Sequence, residues 1–236
     1  ERTQDEVFRR ELRQMEGGLF VSRDIERSRV RIQRLSHVEN VAVETEGVND
    51  DTIDLTYRVK ERSAGSITFG VSYGMDTKFG VNAGLSQPNF MGKGHELNLQ
   101  AETDKSGSYY MIDYTNPYFT NDGLSAAGSL GYIQVKDDYD YTVNYIADGI
   151  ALMFNFAYPI TEYTTVSAGI GYERLSLSTT RESPIDIVYE LGGECYPSNY
   201  FPGECAQGTP RYKVRKNLYR ANVGINRDTR NRTIFP

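Results

Sequence analysis

The sequence predicts a transmembrane antiparallel β-barrel of about eight strands over residues 63–236, preceded by a small α+β domain over residues 1–62. Three observations predict it. The 236 residues include 18 Tyr, 10 Phe and 22 Gly but no Trp, at only 39% hydrophobic content. No apolar run approaches the roughly 20 residues that a membrane helix needs; Ile150-Ala151-Leu152-Met153-Phe154 stops at Asn155. From Gly65 onward apolar residues recur with period 2. Such alternation hides a lipid-facing surface from any hydropathy average, because lumen-facing polar residues dilute it.

The first 62 residues carry a helical period and then an extended one. Thr3-Gln4-Asp5-Glu6 matches a capping box, which starts a helix with Phe8, Leu12 and Met15 on one face and Gly17-Gly18 as its end. A second helix begins at Ser22, with Asp24 beside the positive dipole end and Ile25, Ile32 and Leu35 sharing a face. Val41 and Val43 then alternate with polar neighbours, residues 47–51 make a turn, and Ile53, Leu55, Tyr57 and Val59 alternate again. The order is α-α-β-β. A net charge of -6 leaves no basic stripe for nucleic acid, and the arginines between Arg23 and Arg34 read as the polar face of the second helix.

The first barrel strand, Ser66 to Tyr73, puts Ile67, Phe69, Val71 and Tyr73 on one side and Ser66, Thr68, Gly70 and Ser72 on the other. Similar faces recur as Val81/Ala83/Leu85, Leu97/Leu99/Ala101, Tyr110/Ile112/Tyr114, Ala126/Gly128/Leu130/Tyr132, Ile150/Leu152/Phe154/Phe156, Val166/Ala168/Ile170/Tyr172 and Tyr219/Ala221/Val223/Ile225. The opposite faces hold Gly, Ser, Asn and Gln, which suits a watery lumen. Tyr73, Tyr109, Tyr114, Tyr118, Tyr158, Tyr163 and Tyr219 lie near strand ends, where aromatic girdles form. If the first barrel strand runs outward, compact turns such as Pro88-Asn89, Gly92-Lys93-Gly94 and Asn121-Asp122-Gly123 fall inside. The two longest connections, 136–145 and 178–212, then fall outside. That arrangement puts the N-terminal domain in the periplasm.

Nothing in the sequence points to catalysis, a cofactor or a metal. The two histidines, His37 and His95, lie in different regions, and Asp137-Asp138-Tyr139-Asp140 lacks the ligand spacing of a calcium loop. Cys195 and Cys205 sit in the longest external loop. An even cysteine count in an oxidising compartment predicts a disulfide there, and the spacing is wrong for a reactive CxxC pair.

Four segments in order resemble a known family. They are Arg10-Glu11-Leu12-Arg13-Gln14-Met15-Glu16-Gly17, Val59-Lys60-Glu61-Arg62, Gly65-Ser66-Ile67-Thr68-Phe69-Gly70-Val71-Ser72-Tyr73-Gly74 and Thr115-Asn116-Pro117-Tyr118-Phe119-Thr120-Asn121-Asp122-Gly123. Together they are similar to the Omp85 superfamily, in its branch that supplies the barrel subunit of the outer-membrane β-barrel assembly machine. The resemblance implies that residues 1–62 are the last POTRA repeat without its first strand, and that residues 63–236 are about half of a sixteen-stranded barrel. On that reading the chain is a fragment, and the family's Arg-Gly-Phe loop and closing strand lie beyond Pro236.

The same resemblance implies a function: folding and inserting barrel proteins into the bacterial outer membrane. Partners would be unfolded outer-membrane barrel proteins, accessory outer-membrane lipoproteins and the lipid bilayer. The strand Gly65, Ser66, Ile67, Thr68, Phe69, Gly70, Val71, Ser72 and Tyr73 would form a lateral gate with the last strand. An opened seam exposes unpaired backbone groups that can template an incoming strand without ATP, and such an edge cannot face lipid unsatisfied. Glycines at 65, 70 and 74 would loosen that strand. Glu16 corresponds to the family's Met-Glu-Gly glutamate, where a lipoprotein docks; read locally, it is an acid at an unfavourable helix end. Two alternatives stay open: a polypeptide translocation pore of the same superfamily or a passive barrel, and a complete eight-stranded barrel ending at Pro236.

Overall fold

The computed structural model describes residues 3–49, 51–75, 78–135, 145–161, 163–179, 185–190, 192–194 and 212–228. They form two compact units. One comprises residues 1–66 and 86–97, the other residues 67–85 and 98–236.

The first unit contains α1 (Asp5–Arg9), α2 (Ser22–Gln33), β1 (Val38–Asn49) and β2 (Thr52–Glu61). Its core is Ile32, Val38 and Val41, packed by Phe8, Leu12, Leu35, Tyr57 and Val59. Helix α2 starts at Ser22 as its sequence predicts, and it buries Ile25 and Ile32.

The first helix differs from its prediction at both ends. Gln4 is its N-cap and makes no side-chain cap. Thr3 instead donates its amide and hydroxyl to Glu61 Oε2, at 3.1 and 2.6 Å. A charge-assisted pair with a full carboxylate outcompetes a local cap. The helix then stops at Arg9, because Ser28 Oγ accepts the amides of Arg13 and Gln14 at 2.7 and 3.4 Å and so removes donors that helix continuation needs. Met15 therefore leaves the predicted stripe and is exposed. Strands β1 and β2 pair from Val38↔Glu61 to Asn49↔Thr52. Gly47 and Val48, predicted in the turn, belong to β1, and an irregularity between Gly47 and Asn49 absorbs the extra residue.

The large sheet consists of β3 (Ser66–Gly74), β4 (Lys78–Phe90), β5 (His95–Thr103), β6 (Gly107–Asn116), β7 (Ser125–Val135), β8 (Tyr145–Thr161), β9 (Thr164–Thr179) and β10 (Lys213–Arg227). The spatial order equals the chain order, so it is a meander with β3 and β10 at its ends. The eight predicted strands are all present, and among the described residues the sheet is open. Several are longer than the eight to ten residues predicted; β8 has 17. Pairing continues past the apolar stretch into polar residues such as Asn217↔Arg174 and Lys213↔Ser178. Pro159 sits near the end of β8, at a register shift where its missing N–H costs least.

Register puts the predicted apolar faces of β6 to β10 on one side. Tyr110 pairs with Tyr132, Ile112 with Leu130, Leu130 with Leu152, Leu152 with Tyr172, and Tyr172 with Tyr219. Tyr110, Ile112, Leu130, Tyr132, Leu152 and Tyr219 on this side are exposed, and Tyr172 is half-buried. Tyr109 departs from the predicted girdle: it is on the opposite face, its hydroxyl donating to Met111 Sδ at 2.6 Å, while Tyr118 and Tyr163 lie in turns outside the strands. A short helix, α3 (Ile185–Glu190), precedes β10 and has no counterpart in the sequence reading. Cys195, Cys205 and the acidic run Asp137–Asp140 lie outside the described residues.

Candidate functional site

Strand β3 is the end of the sheet, with β4 as its single neighbour. Its outward residues Ile67, Phe69, Val71 and Tyr73 are 81%, 74%, 61% and 67% exposed, against 40% for Leu130 on an interior strand. The difference is what an absent flanking strand produces. The other edge of β3 leaves backbone donors and acceptors without a ladder partner in this sheet, the condition under which an added strand gains main-chain hydrogen bonds.

The inward face of β3 interlocks with β4 through small and polar groups. A Cβ at Gly70 would collide with Asn82 Oδ1, one at Gly84 with Thr68 Oγ1, and one at Gly80 with Ser72 Oγ. Each glycine thus makes room for a polar side chain across the pair. At Gly70 the absent Cβ also admits Asn82, a role beyond the loosening expected of it. At the base of the strand a Cβ on Gly65 would meet Gln87 Oε1 in the same way.

That base is held within the first unit by a hydrogen-bond chain that no sequence signal announced. Glu61 accepts from Thr3, the Thr3 hydroxyl accepts from Asn89 Nδ2 at 2.7 Å, and Asn89 Oδ1 accepts the Gly94 amide at 2.7 Å. Asn89, read from sequence as a turn former, is a buried member of β4. Arg62 follows on, its amide donating to His37 O and its Nε to Ser36 O, both at 2.9 Å. Gly94 has φ +67, and a Cβ there would come within 2.9 Å of Val7 Cγ1, so glycine is required twice over.

Beside this chain lies a polar cavity of about 270 Å³ lined by His37, Glu61, Arg62, Ser63, Ala64, Gln87 and Asn89. His37 is buried, and neither ring nitrogen has a protein partner. Burial holds its pKa below the usual 6.5; Glu61 opposes that shift and Arg10 adds to it. His95 was expected in a different region, yet both histidines fall in the first unit because residues 86–97 cluster with residues 1–66. Among the described residues no group of three His, Cys, Asp or Glu side chains is placed to hold a metal. Glu16 is exposed in the turn between α1 and α2, where Oε1 accepts from Arg9 Nη1 at 2.9 Å. Since α1 ends at Arg9, no unfavourable dipole acts on Glu16.

An open meander with one exposed apolar face, behind an α-α-β-β unit, agrees with the family models that match. The Omp85 superfamily domain matches residues 89–236, more than half of the chain. The chain belongs to the Omp85 superfamily. The POTRA model, described as a surface antigen variable number repeat, matches residues 1–62. The outer membrane protein assembly factor BamA of Neisseria meningitidis is 32% identical over 224 residues, 88% of this chain and 27% of that protein. The protein of the same name from Nitratidesulfovibrio vulgaris is 32% identical over 197 residues, 82% of this chain and 24% of that protein. This Omp85 chain thus spans about a quarter of these relatives. A crystal structure of BamA from Haemophilus ducreyi lacking POTRA domains 1-3 is similar to the whole chain, with TM-score 0.69 and 27% identity, over 44% of that structure's length.

Proposed function

We propose that this chain is the last periplasmic POTRA repeat, residues 1–62, and the first half of the barrel, residues 63–236, of a factor that folds and inserts barrel proteins into the bacterial outer membrane. The observation that carries the reading is β3: a terminal strand with an outward apolar face and an unpaired edge, starting where the first unit ends. Residues Gly65 to Tyr73 serve as the mobile side of a lateral gate, whose other side is the closing strand of the full protein. An unfolded substrate adds a strand to the β3 edge, so each new pair satisfies backbone groups that lipid cannot.

The test is disulfide locking in the full-length protein reconstituted in liposomes. Cysteines at Ser66 or Thr68 and on the closing strand, once oxidised, are expected to slow insertion of an unfolded barrel substrate at least tenfold, with recovery on reduction. Undiminished insertion by the locked protein sinks the gate. Acceleration of substrate folding by the unlocked protein separates this function from a secretion pore of the same superfamily, which moves polypeptide without folding it.

Glu16 is the proposed contact for an accessory lipoprotein. Its exposed carboxylate already orients on Arg9, and a partner arginine would take over one oxygen. Glu16→Lys is expected to weaken lipoprotein co-purification, with rescue by a charge-reversed partner. Unchanged association removes Glu16 from the site.

A further inference from the structure

We propose that the outward face of β8–β10, at the end away from the start of β3, binds a phosphorylated lipid headgroup through Arg174, Arg215 and Lys213. The assignment of that end to the outer leaflet rests on the orientation given under Proposed function. The chemistry of the site does not.

Register fixes the face and strand length fixes the height: Arg174 and Asn217 each stand ten residues from the inner ends of β9 at Thr164 and β10 at Arg227, about the length of tilted strand that crosses the hydrocarbon. The rings of Tyr172 and Tyr219 lie 5.5 Å apart on the apolar side of the sheet, in line with Ile170 and Val223. The Tyr172 hydroxyl donates to Asn217 Oδ1 at 3.1 Å. Asn217 stands opposite Arg174, one step beyond the tyrosines; Arg215 follows opposite Ser176 and Lys213 opposite Ser178. Strand alternation keeps all of these on the tyrosine face. Lys213 Nζ confirms it by reaching Asp148 Oδ1 at 3.7 Å, two strands away and itself opposite Ser176. A further strand added beside β10 would pair in the plane of the sheet and leave this face open.

Charge then selects the occupant. Three exposed cations share one carboxylate, and that carboxylate is engaged by Lys213. Neither Arg174 nor Arg215 has an ion-pair partner among the described residues. On the inner face, by contrast, Arg220 is paired with Glu173. A cation on the lipid side costs about 2–4 kcal/mol at the bilayer midplane but close to nothing at the interface. Placement one step past a tyrosine belt is the headgroup level, where the matching anion is a lipid phosphate. Two guanidinium forks suit phosphate oxygens better than ammonium groups would.

The experiment uses the full-length protein in phosphatidylcholine nanodiscs doped with bisphosphorylated lipid A, reading lipid retained per protein by native mass spectrometry. Arg174→Gln and Arg215→Gln are each expected to lower lipid affinity about fivefold, the increment for one basic residue at a charged surface. Dephosphorylated lipid A should bind the wild type as weakly as the double variant, while Arg220→Gln leaves retention unchanged. Equal retention by wild type and double variant overturns the proposal. So does displacement by millimolar inorganic phosphate, which would mark a site for soluble anions. Folding of an unfolded barrel substrate is measured on the same samples: wild type that retains the lipid but accelerates no folding refutes the assembly function alone. Protease cleavage of the 178–212 segment only from the lumen of sealed vesicles refutes the leaflet alone.

Discussion

His37 is buried with no protein partner for either ring nitrogen, so its charge state matters to the unit around it. Burial disfavours the imidazolium more than Glu61 favours it, which leaves the folded pKa below 6.5. Between the two values the unfolded chain binds more protons than the folded one, so stability is complete above about pH 6.5 and falls as pH drops through the folded pKa. Exchange protection of the Arg62 amide, which donates to His37 O, is expected to decline below pH 6.5 after correction for intrinsic exchange. His37→Gln should flatten that decline; an equally steep profile in the variant assigns it to another group. From the sequence His37 was legible only as a lone histidine. Its surroundings are the Phe8 ring, 6.1 Å away, and a cavity that it lines together with residues 61–64, Gln87 and Asn89, none of which is near in sequence.

At the scale of elements, legibility followed the range of the forces involved. Alternation along β3 to β10 was readable because one buried or lipid-covered face imposes period 2 on every strand. The end of α1 was not, because it is set by a hydroxyl 15 residues away: Ser28 Oγ accepts the Arg13 amide and donates to Asp24 O at 2.7 Å. Six residues of α3 were too few to show a helical period, although Ser183-Pro184 before it is a helix-start signal. Ser28→Ala adds no bulk and removes both bonds at a fully buried site. Stranding the Arg13 amide is expected to cost about 1–3 kcal/mol. The loss should appear in denaturant unfolding of the first unit, monitored by exchange of the α2 amides, while Ser28→Thr should recover part of it. A cost below about 0.5 kcal/mol would mean that water reaches the Arg13 amide and that Ser28 does not terminate α1.

For the whole molecule, the proposed membrane placement turns on which face of the large sheet would meet lipid. Exposure alone does not settle it, since both faces of an open sheet meet solvent, but sequence and register agree that the Leu130 side is apolar across at least four strands. The opposite side carries groups such as Asn98 and Gln100. A charge introduced mid-strand therefore has opposite consequences on the two faces. Leu130→Lys is expected to destabilise the full-length protein in bilayers by about 2–4 kcal/mol, as a lipid-facing charge near the midplane does. Gln100→Lys, on the lumen side, should cost well under half of that. Urea unfolding in lipid vesicles measures both. The same pair compared in detergent micelles, where solvent and detergent adapt locally, should show a smaller gap. If the Gln100 variant is the less stable of the two, the polar side is the one packed against an apolar layer, and the membrane assignment of the sheet is inverted.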